Sequence, residues 1–112
     1  MKLSLRQVDV LYAGHVELLE HELSPKLIYK LVTNKKLMFT YIENIQETII
    51  KISKDNEGKE HWEIAKLQNE AIEELFKDEV DVDLKHIEWS ELPQEIKGTT
   101  IENIEIIMTG EL

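Results

Sequence analysis

The chain has 112 residues, 42% apolar and 32% charged, with a formal net charge of −10, no cysteine, two prolines and four glycines. That length holds one modest core, so a single domain spanning 1–112 is expected, and the missing cysteines exclude disulfides, a thiolate nucleophile and a thiolate metal site. No run approaches the ~18 apolar residues of a membrane span, and so acidic a chain is a poor match for phosphate backbones, so direct nucleic-acid binding is not expected.

Met1 to Arg6 lacks the apolar stretch of a secretory signal, which together with the absent cysteines fits a cytoplasmic protein. Ser4-Leu5-Arg6-Gln7 reads as a capping box, so a helix is expected from there to about His21, with Val8, Leu11, Tyr12, His15, Leu18, Leu19 and Glu22 on neighbouring turns and the apolar members of that set on its buried face. Ser24-Pro25 is the next start signal, with Ser24 as N-cap and Pro25 at the first helical position. From Pro25 no breaker occurs until about Lys54. Ile28, Leu31, Lys35, Met38, Ile42, Ile45, Ile49 and Ile52 alternate three and four residues apart, a coiled-coil-like seam with Lys35 as its one polar interruption.

Asp55 to Lys59 reads as a turn, with Gly58 free to take positive φ. A second amphipathic helix is expected from about Glu60 to Lys77, its apolar face formed by Ile64, Leu67, Ala71, Ile72, Leu75 and Phe76. The short connection makes it antiparallel to the long helix and places basic residues there opposite Glu63, Glu70 and Glu74. After Asp78 the period drops to two over Val80-Asp81-Val82-Asp83-Leu84 and, more weakly, Ile87-Glu88-Trp89, the pattern of half-buried strands. Thr99 or Thr100 can cap a last helix with Ile101, Ile104, Ile107 and Met108 inside, closed by Thr109-Gly110. The expected fold is α+β and mostly α. It combines a long antiparallel helical hairpin, a capped N-terminal helix and a small two-stranded β element near residues 1–5 and 80–89.

Candidate chemistry is thin. His15 and His21 lie roughly 240° apart on a helix, and the Glu17/His21 pair at i,i+4 supplies only two ligands. The Asp55–Glu60 stretch has Lys66 where a calcium loop needs its bidentate Glu. Glu79, Asp81 and Asp83 share one side of a strand, which suits a cation or acid/base set. The simpler use is a solvated face that guards a sheet edge. Trp62 and Trp89 are read as core rims, either becoming a partner anchor if exposed. No phosphate loop, nucleophile elbow or zinc-protease motif occurs, so neither catalytic residues, a cofactor nor a bound metal is expected.

Taken together, certain residues form an ordered set. A capped helix leads to Glu22-Leu23-Ser24-Pro25-Lys26 and Tyr29-Lys30-Leu31, and a charged hairpin follows. Glu73-Glu74-Leu75-Phe76 and Glu79 to Leu84 come next, then Ile87, Leu92-Pro93, Ile96 and a closing helix. Over most of the chain this resembles small proteins of tailed bacteriophages and prophages. The shared motifs are structural punctuation, so the resemblance implies a setting, a phage protein in a bacterial cell, and carries no functional residue with it. The short hairpin turn and the apolar Met38-Phe39-Thr40 depart from its pattern.

Charge is split along the chain. Residues 1–54 carry eight Lys/Arg against six Asp/Glu, and residues 55–112 carry five against seventeen. Lys26, Lys30, Lys35 and Lys36 form a local basic strip, and part of the acidic excess reads as internal, since the helix expected over 25–54 lies beside the acidic one over 60–77. The unmatched remainder marks Asp78, Glu79, Asp81, Asp83, Glu88, Trp89 and Glu91 as candidate partner-binding residues. The chain is expected not to be an enzyme, and three uses are set against one another, the first being the leading one. The first is a non-enzymatic acidic phage-type protein that modulates a host protein, such as a defence or nucleic-acid-handling factor. The second is a virion or assembly accessory self-associating through the 25–54 helix of its hairpin. The third is an enzyme using the Glu79/Asp81/Asp83 face.

Overall fold

In the computed structural model, which describes residues 1–110, the order is β1 (Lys2–Ser4), α1 (Leu5–Leu18), α2 (Pro25–Asp55), α3 (His61–Leu75), β2 (Glu79–Asp81), β3 (Ile87–Glu88), α4 (Gly98–Ile104) and β4 (Met108–Thr109), with single 3-10 turns at Trp89–Glu91 and Glu105–Ile107. The last two residues of the expected domain lie outside the described residues. The mostly helical α+β class is as expected.

Local chemistry starts the first two helices. The Gln7 amide donates to Ser4 Oγ at 3.2 Å and the Ser4 amide to Gln7 Oε1 at 2.9 Å, a reciprocal capping box. Ser24 Oγ accepts from the Leu27 amide at 3.2 Å, ahead of Pro25. α1 ends at Leu18 rather than His21. Its last amides close 3-10 bonds, Glu20 to Glu17 and His21 to Leu18, because the chain must turn and extend to set Ser24 before Pro25. The turn after α2 carries Gly58 at φ 94°.

β1 and β2 pair antiparallel, Lys2 with Asp81 and Ser4 with Glu79, joining the two distant segments of the expected β element. The ladder is shorter than the sequence pattern, although exposed Glu79, Asp81 and Asp83 still alternate with Val80, Val82 and Leu84, which face inward. The C-terminal segment departs further. The helix begins at Gly98 with no side-chain cap, because Lys97 rather than a threonine stands at the N-cap position; Thr100, inside the first turn, donates its hydroxyl to Glu17 Oε2 on α1. It stops at Ile104 where β-branched residues crowd, tightens, and then extends so that Met108–Thr109 pairs in parallel with Ile87–Glu88. This second two-stranded ladder was not expected, since the pattern placed Met108 inside a helix.

The core sits where α1, the first half of α2, residues 82–87 and α4 meet. Leu3, Val8, Leu11, Leu18, Leu27, Leu31, Met38, Ile87, Ile104 and Ile107 are all buried there. Along α2 the inner stripe is Leu27, Leu31, Asn34, Met38, Ile42 and Ile45. The expected seam was therefore one residue out of phase at its start. Ile28 is exposed, and the polar interruption is Asn34 rather than Lys35. Lys35 lies half-buried with its ammonium 5.8 Å from the Tyr12 ring.

α3, at about 1.5 Å per residue, runs back along only half of the 31-residue α2. The result is an arm that makes the molecule 52 × 26 × 21 Å, with a radius of gyration of 16.4 Å against about 13 Å for a compact chain of this length. No ion pair crosses from α2 to α3 among the described residues. The basic strip of α2 lies in its first half, alongside α1, out of reach of Glu63 and Glu70, and Glu74 pairs with Lys77. Among the described residues, the one side-chain hydrogen bond across the arm runs from Gln68 Nε2 to the Ile49 carbonyl at 3.0 Å.

Candidate functional site

The acidic segment after α3 is held at both ends. On one side β1 takes Glu79 to Asp81 into a ladder, and the Val82 amide donates to the Met1 carbonyl at 3.0 Å. On the other side the Asn34 side chain grips the backbone of Lys85. Its Oδ1 accepts from the Lys85 amide at 2.7 Å and its Nδ2 donates to the Lys85 carbonyl at 3.0 Å. The clamp reproduces what a neighbouring strand would offer one residue, and it also anchors the chain entering β3 to α2.

The second hydrogen of Asn34 Nδ2 goes to His15 Nε2 at 3.1 Å, and His15 Nδ1 lies 2.6 Å from the Leu11 carbonyl. Because a carbonyl only accepts and an amide nitrogen only donates, this arrangement requires neutral His15 with its proton on Nδ1. Burial pushes the imidazole below its ordinary value of 6.5, and the Lys35 charge adds to that, against a smaller opposing pull from the Leu11 carbonyl. Every polar atom of the Asn34 amide and both ring nitrogens are used. A fully satisfied buried network of this kind fixes one packing of α1, α2 and the 82–87 segment.

The candidate partner-binding residues divide. Asp78, Glu79, Asp83 and Glu88 are exposed and make no ion pair among the described residues. Asp81 is exposed but receives the Met1 ammonium at 3.0 Å. Trp89 is half-buried in the 3-10 turn. Glu91 is turned inward: its Oε1 binds Lys30 Nζ at 2.6 Å and the Glu88 amide at 3.1 Å. Burial alone would raise the Glu91 carboxyl, but the Lys30 and Glu88 hydrogen bonds together with the Lys30 and Lys26 charges outweigh it and hold it below the usual carboxylate range. Glu91 therefore ties the 89–91 turn to α2 and presents little to a partner.

Trp62 behaves oppositely to the rim position expected of it. It is 67% exposed at the tip of the arm, between Glu60 and Glu63. Sequence reasoning also passed over Asn34 and Gly14. Asn34 carried a usable signal, since it stands three residues after Leu31 and four before Met38, inside the apolar stripe. Gly14 carried none. A Cβ there would lie 2.6 Å from Ile104 Cγ2, so only glycine lets α1 and α4 approach this closely.

Among the described residues no group of three or more His, Asp or Glu side chains is arranged to hold a metal ion, and no helix is long and apolar enough to cross a membrane. Comparison with protein-family models, with curated proteins and with solved structures returned no match.

Proposed function

We propose that this chain is a non-enzymatic protein-interaction module whose acidic segment engages a basic site on another protein. In the phage setting implied by its sequence resemblance, that protein belongs to the bacterial host. The observation that supports this reading is the set of four exposed carboxylates of Asp78, Glu79, Asp83 and Glu88, none in an ion pair among the described residues. They stand on backbone held by β1 and by the Asn34 clamp. Four like charges on pre-ordered backbone lose little conformational entropy on docking. They raise encounter rates with a positive surface and can occupy it in place of a nucleic acid.

The test is capture from bacterial lysate at low and high salt, comparing the natural chain with a variant carrying Asp78→Lys, Glu79→Lys, Asp83→Lys and Glu88→Lys. The expected result is a partner retained at low salt by the natural chain alone. Capture indifferent to both salt and the four reversals overturns the reading.

A second reading, an assembly accessory that associates through its hairpin, is favoured by one observation. No residue of α3 is fully buried, and Ile64, Leu67, Ala71, Ile72, Leu75 and Phe76 are all only half-covered. The seam expected to drive such association does not stay open, because Ile42 and Ile45 are already buried within the chain.

A further inference from the structure

The outer face of α2, opposite its core stripe, carries a second pattern. Tyr29, Val32, Lys36, Phe39, Glu43, Gln46 and Ile50 succeed one another at alternating intervals of three and four residues, the spacing of a helix-pairing seam. Its apolar members stand open to solvent, with Tyr29 66%, Phe39 47% and Ile50 53% exposed. Tyr12 on α1 joins Val32, Lys35, Lys36 and Phe39 around a groove of about 290 Å³ on this face. A soluble chain rarely leaves such a row of apolar side chains without a partner.

Charge identifies that partner. Residues 25–42 hold four lysines and no acid, whereas Glu43 and Glu47 are the only charges between there and Lys51. Lys35, Lys36, Glu43 and Glu47 make no ion pair within the chain among the described residues. A parallel pairing of two α2 helices would stack lysine on lysine. An antiparallel one, with its two-fold axis at the level of Tyr41, sets Lys35 and Lys36 beside the partner copy's Glu43 and Glu47 and sets Val32 opposite the partner copy's Ile50. The groove is then filled by the segment whose charge complements it.

We propose that two copies of this chain pair antiparallel through the outer face of α2. Such a contact is isologous, so each copy contributes both the basic and the acidic half and the assembly closes at two. The interface lies on a different side of α2 from the Asn34 clamp and uses none of the four carboxylates of the proposed partner site.

Sedimentation equilibrium over a concentration series tests it. The natural chain is expected to show twice the single-chain mass, and Phe39→Glu is expected to raise the dissociation constant at least tenfold with an unchanged circular dichroism spectrum. Lys36→Glu and Glu43→Lys each weaken the dimer, and their combination in one chain restores it. Orientation is read from cross-linking, since the chain has no cysteine of its own. A mixture of Val32→Cys and Ile50→Cys chains is expected to give the disulfide-linked heterodimer in preference to either homodimer. A single-chain mass at every concentration, which leaves the face to some other partner, overturns the proposal. So does a dimer unaffected by Phe39→Glu, or cross-linking of Val32→Cys to itself.

Discussion

The body and the arm of this molecule use the same kinds of residue to opposite effect. In the body, apolar stripes from α1, α2 and α4 converge with Leu3, Val82, Leu84 and Ile87 from extended segments, and many side chains lose all contact with water. In the arm, α2 and α3 meet only each other. Two helices bury one stripe apiece, so α3 contributes no fully buried residue although its amphipathic pattern is as clear as that of α2. Amphipathicity states which face turns inward. How far that face is covered depends on the number of elements that converge on it.

The sharpest way to break the body is through its polar centre. Asn34→Ala strands the buried His15 Nε2 and two part-buried backbone groups of Lys85; a buried group without a partner costs about 1–3 kcal/mol and the Lys85 groups less, so a loss of about 2–3 kcal/mol is expected in urea unfolding. Gly14→Ala comes next. Its methyl must displace Ile104 Cγ2, a branch held stiff inside a helix, and thermal denaturation is expected to report a loss of about 1–3 kcal/mol.

A graded effect comes from pH. His15 is neutral in the fold and its pKa lies below the ordinary 6.5, so the unfolded chain takes up the proton first as pH falls. The contribution of His15 to stability is complete above about pH 6.5 and is lost as pH drops from there towards the folded value. Denaturation midpoints measured between pH 8 and 5 should show this loss, and His15→Gln should flatten that part of the profile. In the arm the expectation is smallest. Leu67→Ala should cost only about 1 kcal/mol, below the usual range for a fully buried leucine, because the side chain is half-covered already. Amide exchange should show α3 opening before α1. A cost for Leu67→Ala equal to that of Leu31→Ala would mean that the arm is covered in solution, by a partner or a second copy.

Much of the fold can be read from residue order because its signals are local. Ser4 with Gln7, Ser24 with Pro25 and Gly58 each set a boundary through bonds or φ angles within a few residues, and the alternation from Val80 to Leu84 marked an extended segment with one face inward. The candidate site was legible in part. Asp78, Glu79, Asp83 and Glu88 remain on the surface, whereas Glu91 is drawn in by Lys30 across 61 positions of sequence, a partnership that no local pattern encodes.

Periodicity, caps and charge thus determine the helices, their amphipathic faces and an acidic second half. Only the tertiary structure decides that the α2 stripe runs through Asn34 rather than Lys35, since that depends on finding His15 and the Lys85 backbone where the amide can satisfy all of its hydrogen bonds. It likewise decides that the last helix starts early enough to take in Thr100, whose hydroxyl bonds Glu17, and that Met108 leaves the helix for a ladder with Ile87. In each case a polar or backbone group chose between a local and a distant partner, and the distant one was available only after the core had brought it near.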